Sequence, residues 1–223
     1  GRTFTNSLDV AAAPVLRGYF ERGVVGRRVG ERERLVEILS ERDEQDQGTF
    51  HYVSGREEIG KTRLISDVTS ALKIEGCRVV RVDCGEGMHA WELVEELLGR
   101  LVELGASRNI RELEYFESYL LILERLATLD SDSDTRLTQA VDHDWLRRVF
   151  HDAVRTLHPE RLVLVIDDLH CADIASRRFL AECYSEETDA AMPDALATGH
   201  TEEKFMMLEE GERTTFHEIE GIT

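Results

Sequence analysis

The chain has 223 residues, with 45 acidic and 27 basic side chains and a formal net charge of −18 at pH 7. Its 42% hydrophobic content supports a core and excludes disorder throughout, and the length suits one large α/β domain or two small ones. The acidic excess argues against sequence-independent nucleic-acid binding, which runs on clustered Lys and Arg; with only Lys61, Lys73 and Lys204 as lysines, it also resembles the balance of halophilic proteins, where salt screens self-repulsion.

Residues 1–24, with Ala11-Ala12-Ala13-Pro14 among polar neighbours, read as an N-terminal linker or lead-in segment. Val29, Leu35, Val36 and Leu39 recur at helical spacing and predict an amphipathic helix over 29–42, ended by the polar run 43–48. Phe50-His51-Tyr52-Val53-Ser54 reads as a short strand, followed by a glycine-bounded loop and a helical pattern over 61–74. Gly76 stops that helix, Val79 to Asp83 reads as a second strand, and 90–104 predicts an acidic surface helix with one apolar face. Helices are expected near 110–128 and 138–157, separated by an acidic loop at 130–134. Leu162-Val163-Leu164-Val165-Ile166 is an unbroken apolar run, as needed by a strand buried on both faces in the middle of a parallel sheet. A helix over 172–185 and weaker strands near 194–199 and 214–219 complete the series, and no internal repeat is visible. The βαβα order predicts an α/β fold with three α/β/α layers around a mostly parallel sheet.

The cysteines Cys77, Cys84, Cys171 and Cys183 form no C-x-x-C pair, which points to reduced thiols in a cytoplasmic protein. No apolar run approaches the roughly 20 residues that span a bilayer, and Gly1-Arg2-Thr3 opens no apolar signal core, so no membrane partner is expected. A start at Gly1 and an end at Thr223 without a closing element are read as the ends of a piece of a longer chain.

Gly55-Arg56-Glu57-Glu58-Ile59-Gly60-Lys61-Thr62 matches G-x-x-x-x-G-K-[ST], the phosphate-binding P-loop. The glycines let the backbone wrap tightly, and successive N–H groups and the positive end of the following helix face phosphate. Lys61 reaches the β and γ oxygens, and the Thr62 hydroxyl ligates Mg²⁺. The motif follows a predicted strand and opens a predicted helix, the context it requires. Downstream, the apolar run delivers Asp167 and Asp168 to its carboxyl end, where an acidic side chain holds Mg²⁺ against the P-loop threonine. Asp142-His143-Asp144 has metal-ligand residue types but sits in a helical stretch where neighbours diverge, so an exposed turn is favoured. His170-Cys171 is weighed as a nucleophilic pair and set aside.

With these motifs in hand, the chain resembles the AAA-like P-loop ATPase domain of the STAND signalling ATPases, found in LuxR-type and MalT-like regulators. The resemblance runs through Val29-Gly30-Glu31-Arg32-Glu33-Arg34-Leu35, Gly55 to Leu64, Arg81 to Cys84, and Val165 to Asp173, within residues 25–220. It implies a P-loop NTPase domain over 25–223, ending before a C-terminal lid or winged-helix region. That domain would bind ATP or ADP with Mg²⁺ and act as a slowly hydrolysing switch in a signalling or transcription-regulatory protein. Lys61 and the loop 55–62 would bind phosphate, Thr62 and Asp167 would hold the metal, and Asp168 would polarise water. Either Val25-Gly26-Arg27 or Val29-Gly30-Glu31 would pack near adenine. Partners would be other domains of the same chain, with nucleotide-dependent self-association. Direct nucleic-acid contact is not expected from this segment.

The chain departs from the family pattern in three places. Glu57 and Glu58 stand where small residues and another glycine are common, which places two carboxylates beside the phosphate cradle. Asp168 replaces the glutamate of the wider superfamily and is one methylene shorter. His200 stands where the strand near 196–200 usually ends in arginine, either as a sensor of the γ-phosphate or as a loop histidine without a role. No arginine finger is assigned. Two alternatives stay open: a nucleotide-binding or interaction module without hydrolysis, and an origin-recognition-type ATPase that loads on DNA.

Overall fold

The computed structural model describes residues 29–40, 48–106, 143–157, 161–185, 192–200 and 213–219. In chain order these form α1 (Val29–Ser40), β1 (Phe50–Ser54), α2 (Lys61–Ile74), β2 (Arg78–Asp83), α3 (Glu92–Ala106), α4 (His143–Leu157) and β3 (Leu162–Asp167). A single 3-10 turn (Leu169–Cys171), α5 (Ile174–Cys183), β4 (Asp194–Gly199) and β5 (Thr214–Glu218) follow. The lead-in segment 1–24, Val25 and Arg27, the helix expected near 110–128, the loop 130–134 and the start of the next helix at 138–142 lie outside the described residues.

The five strands make one sheet in the order β2-β3-β4-β1-β5, and every pairing is parallel. Parallel neighbours need crossovers that place helices on both faces, and strand periodicity decides which residues meet them. On β3, Leu164 and Ile166 pack with Phe50, Tyr52, Val80 and Val82 against α3, α4 and α5. Val163 and Val165 turn the other way, with Val53 and Leu196, to pack against α1 and α2. The result is the α/β three-layer P-loop fold. All six residues of β3 are buried, as its apolar run requires.

The helix expected over 90–104 with one apolar face is α3, whose Leu93, Val94, Leu97, Leu98 and Leu101 on that face are all fully buried while Arg100 and Glu103 are exposed. It is wedged between β2 and α4, so its acidic residues form only a rim. The strand near 194–199, expected to be weak, is buried at every position and sits in the centre of the sheet between β1 and β3. Its Ala195, Ala197 and Gly199 leave room where helices and Tyr52 press close; a Cβ on Gly199 would run into the Tyr52 hydroxyl.

Asp173 caps α5 by accepting the Ser176 N–H at 2.8 Å, and the same Oδ1 accepts the Trp91 N–H at 3.0 Å, tying the approach to α3 to the start of α5. All four cysteines are free thiols. Cys77 and Cys84 flank β2, and burial raises both thiols, Cys84 to about 12. Cys183 is likewise raised by burial, so these thiols behave as small apolar residues. Among the described residues no helix is long and apolar enough to cross a membrane.

Candidate functional site

The chain leaves the C-terminal end of β1 at Ser54 and turns back at once into α2. Gly60 makes that turn possible with φ 88° and ψ 31°, a left-handed conformation that costs a residue bearing a Cβ about 1–2 kcal/mol. Glu58 adopts φ 58° and bears that cost. Gly55 is needed for close approach: a Cβ there would lie 3.1 Å from Ile59 Cγ2 and 3.3 Å from the Ile219 carbonyl.

No side chain caps α2, so its amide end faces the loop with its positive dipole unspent. Lys61 is 6% exposed, and its Nζ donates to the carbonyls of Gly55 at 3.0 Å and Arg56 at 2.9 Å, tying the loop to the helix. Arg56, Glu57 and Glu58 are exposed, so the two acidic residues of the loop turn to solvent.

Strand periodicity assembles the other half of the site. Val163 and Val165 face α2, so Asp167 does too, at the carboxyl end of β3 and 3% exposed. Thr62 Oγ1 lies 3.5 Å from Asp167 Oδ1, across the gap between helix and strand. On β4 the same parity places Thr198 on this face, donating to Asp167 Oδ1 at 2.6 Å. The Thr198 oxygen also accepts the Asp168 N–H at 2.8 Å. One hydroxyl thus fixes the carboxylate of Asp167 and the backbone of Asp168, which sits at φ 53° and ψ 46°. Arg81 Nη2 donates to the second oxygen, Asp167 Oδ2, at 3.1 Å.

Asp168 is partly exposed, with Oδ1 3.9 Å from His170 Nδ1. The His170 and His200 rings meet edge to face with centroids 4.0 Å apart, and His200 Nε2 lies 3.8 Å from Glu57 Oε1. His200 therefore stands at the end of β4 opposite the loop. His170 Nε2 also lies 3.4 Å from the neighbouring Cys171 Sγ.

The fold brings together the loop Gly55 to Thr62, Asp167, Asp168 and His200. His143 and Asp144 open α4, and Asp142 lies outside the described residues; no group of three or more His, Cys, Asp or Glu able to hold a metal occurs among the described residues. Sequence reasoning missed Thr198, Arg81 and Ser66. A polar residue in small-residue β4 and a charged one within Val79 to Val82 were the available signals, but their partners depend on strand order.

The residues present fit a magnesium nucleotide. A hydroxyl and a carboxylate are the hard oxygen donors Mg²⁺ prefers, while an uncapped helix amide end beside a lysine suits phosphate.

The AAA ATPase domain family model matches residues 24–193. No curated protein matches the chain in sequence. Among solved structures, that of Drosophila ORC bound to DNA is similar with a TM-score of 0.48 at 11% identity, covering 99% of this chain and 37% of that one. The structure of Drosophila ORC bound to AT-rich DNA and Cdc6 gives 0.38 at 13% identity, covering 90% and 31%. The chain spans well under half the length of either.

Proposed function

Because the chain belongs to the AAA ATPase domain family, we propose that it is an ATP-binding and slowly ATP-hydrolysing switch domain, serving a longer signalling or regulatory protein of the STAND type. The observation that carries the reading is the meeting of two motifs 105 residues apart, Thr62 at the amino end of α2 and Asp167 at the carboxyl end of β3. Ligands of open α/β sheets bind at such strand ends.

In this reading Lys61 and the amide end of α2 take the β and γ phosphates, and Thr62 with Asp167 holds Mg²⁺. The metal, when bound, neutralises phosphate charge and polarises the γ-phosphoryl group. Asp168 accepts the proton of the attacking water, with its backbone fixed by Thr198. Its side chain is one methylene shorter than a glutamate, which supports slow turnover. His200 and Glu57 line the mouth of the loop.

A second reading, nucleotide held without turnover, is favoured by His200 standing where an arginine is usual. Single-turnover phosphate release separates the two. Asp168→Asn lowers the rate by about a hundredfold or more with ATP affinity retained. A parent that releases no phosphate supports the second reading, and a variant as fast as the parent removes Asp168 from the reaction.

A further inference from the structure

We propose that Arg81 is a positioning residue for the magnesium site, binding the second oxygen of Asp167 to the P-loop helix and setting the orientation in which that carboxylate meets the metal. The inference rests on the Mg·ATP reading of the site given above.

Arg81 lies on β2, two strands away from β4 and three from the P-loop strand. Val80 and Val82 point into the core beneath α3 and α4, so Arg81 points to the opposite face, toward α2. Each arm of its guanidinium has a separate partner. Nη1 donates to Ser66 Oγ at 2.7 Å, Nη2 to Asp167 Oδ2 at 3.1 Å, and Nε to Asp83 Oδ1 at 2.7 Å. Ser66 lies one helical turn beyond Thr62 on the same side of α2. A single side chain therefore spans α2, β3 and β2 directly beside the metal-ligand pair.

The consequence for Asp167 is geometric. Thr198 holds Oδ1 and Arg81 holds Oδ2, so both carboxylate oxygens are engaged, with Oδ1 on the Thr62 side. Arg81's charge does not oppose a divalent cation outright, because Asp83 balances it from a side chain that is 66% exposed. Arg81 thus acts as an oriented donor. Lysine, a point donor on a flexible stem, cannot span three partners at once. Groups that hold a metal's ligand in place typically govern metal affinity by 10–100-fold.

The test is calorimetric titration of the 223-residue chain with ATP in EDTA and at saturating Mg²⁺, reading the ratio of the two dissociation constants. Arg81→Met lowers that ratio by about tenfold or more while metal-free ATP affinity is unchanged, and Arg81→Lys restores only part of it. Ser66→Ala, which removes only the helix-side anchor, lowers it by about threefold and decides the matter alone should Arg81→Met fail to fold. An unchanged ratio in the folded variants, with the parent clearly metal-dependent, overturns the role of Arg81 and leaves the Mg·ATP reading standing. Equal losses with and without metal also overturn it, by reducing Arg81 to a structural part. A parent whose ATP affinity ignores Mg²⁺ overturns both.

Discussion

Thr198→Val replaces a hydroxyl with a methyl group of nearly the same shape at a position 1% exposed, where burial alone makes valine neutral or stabilising. The hydrogen bonding demands the opposite. Valine removes the donor to Asp167 Oδ1 at 2.6 Å and the acceptor of the Asp168 N–H at 2.8 Å. A hydrogen bond to a charged group contributes about 1.5–3 kcal/mol and a neutral one about 0.5–1.5 kcal/mol. Arg81 still holds Asp167, so the expected loss is about 2–4 kcal/mol, or a fall in Tm of roughly 5–12 °C for a domain of this size. Thr198→Ser keeps the hydroxyl and loses only a methyl group, at about 1 kcal/mol. Urea unfolding of the three proteins, with equal m-values, measures both differences. Valine should be the least stable of the three. Valine as stable as serine, or more so, would refute the claim that this hydroxyl organises the acidic pair.

Two further outcomes follow from backbone and charge. Gly60→Ala, at φ 88°, lowers stability by about 1–2 kcal/mol and weakens ATP binding, because the loop amides shift. Gly76→Ala, at the same φ in a turn where an added Cβ meets nothing, lowers stability similarly but leaves ATP affinity alone; equal binding losses at both positions would contradict the assignment of the loop. His217, 3.3 Å from His51 across β5 and β1, is held below its ordinary value of 6.5 by burial and then by Arg34. The folded state then binds fewer protons than the unfolded one, so this contribution is complete above pH 6.5 and is lost as pH falls below that value toward the folded pKa. The urea midpoint should drop between about pH 7.5 and 5.5, and His217→Gln should flatten that drop; an unchanged pH profile in the variant would reject the assignment.

Much of the frame is legible in the sequence because it follows from local chemistry. The bounds of α2, Lys61–Ile74, are those expected, since Gly60 and Gly76 both take left-handed conformations that punctuate the helix. The apolar run of β3 announces a central strand, and the P-loop pattern with Asp167 announces which residues meet at the carboxyl end of the sheet. Properties that depend on neighbours are hidden. Glu95, Glu96 and Glu103 mark the polar side of α3, but the complete burial of the five residues opposite depends on β2 and α4. Ala195, Ala197 and Gly199 have weak strand preference, and only the insertion of β4 between β1 and β3 explains why small residues belong there. That insertion also turns Thr198 into a partner of Asp167, and the pairing of β2 with β3 does the same for Arg81. Neither contact is encoded in spacing along the chain.

Calorimetric titration of the parent and Lys61→Ala with Mg·ATP, folding of both checked by circular dichroism, reads out whether the loop at Lys61 binds phosphate. Lys61 is buried against the loop carbonyls it would exchange for phosphate oxygens. The parent should bind saturably and the folded variant not at all; equal affinity in the two proteins, or no binding by the parent, would remove the phosphate-binding role from this loop.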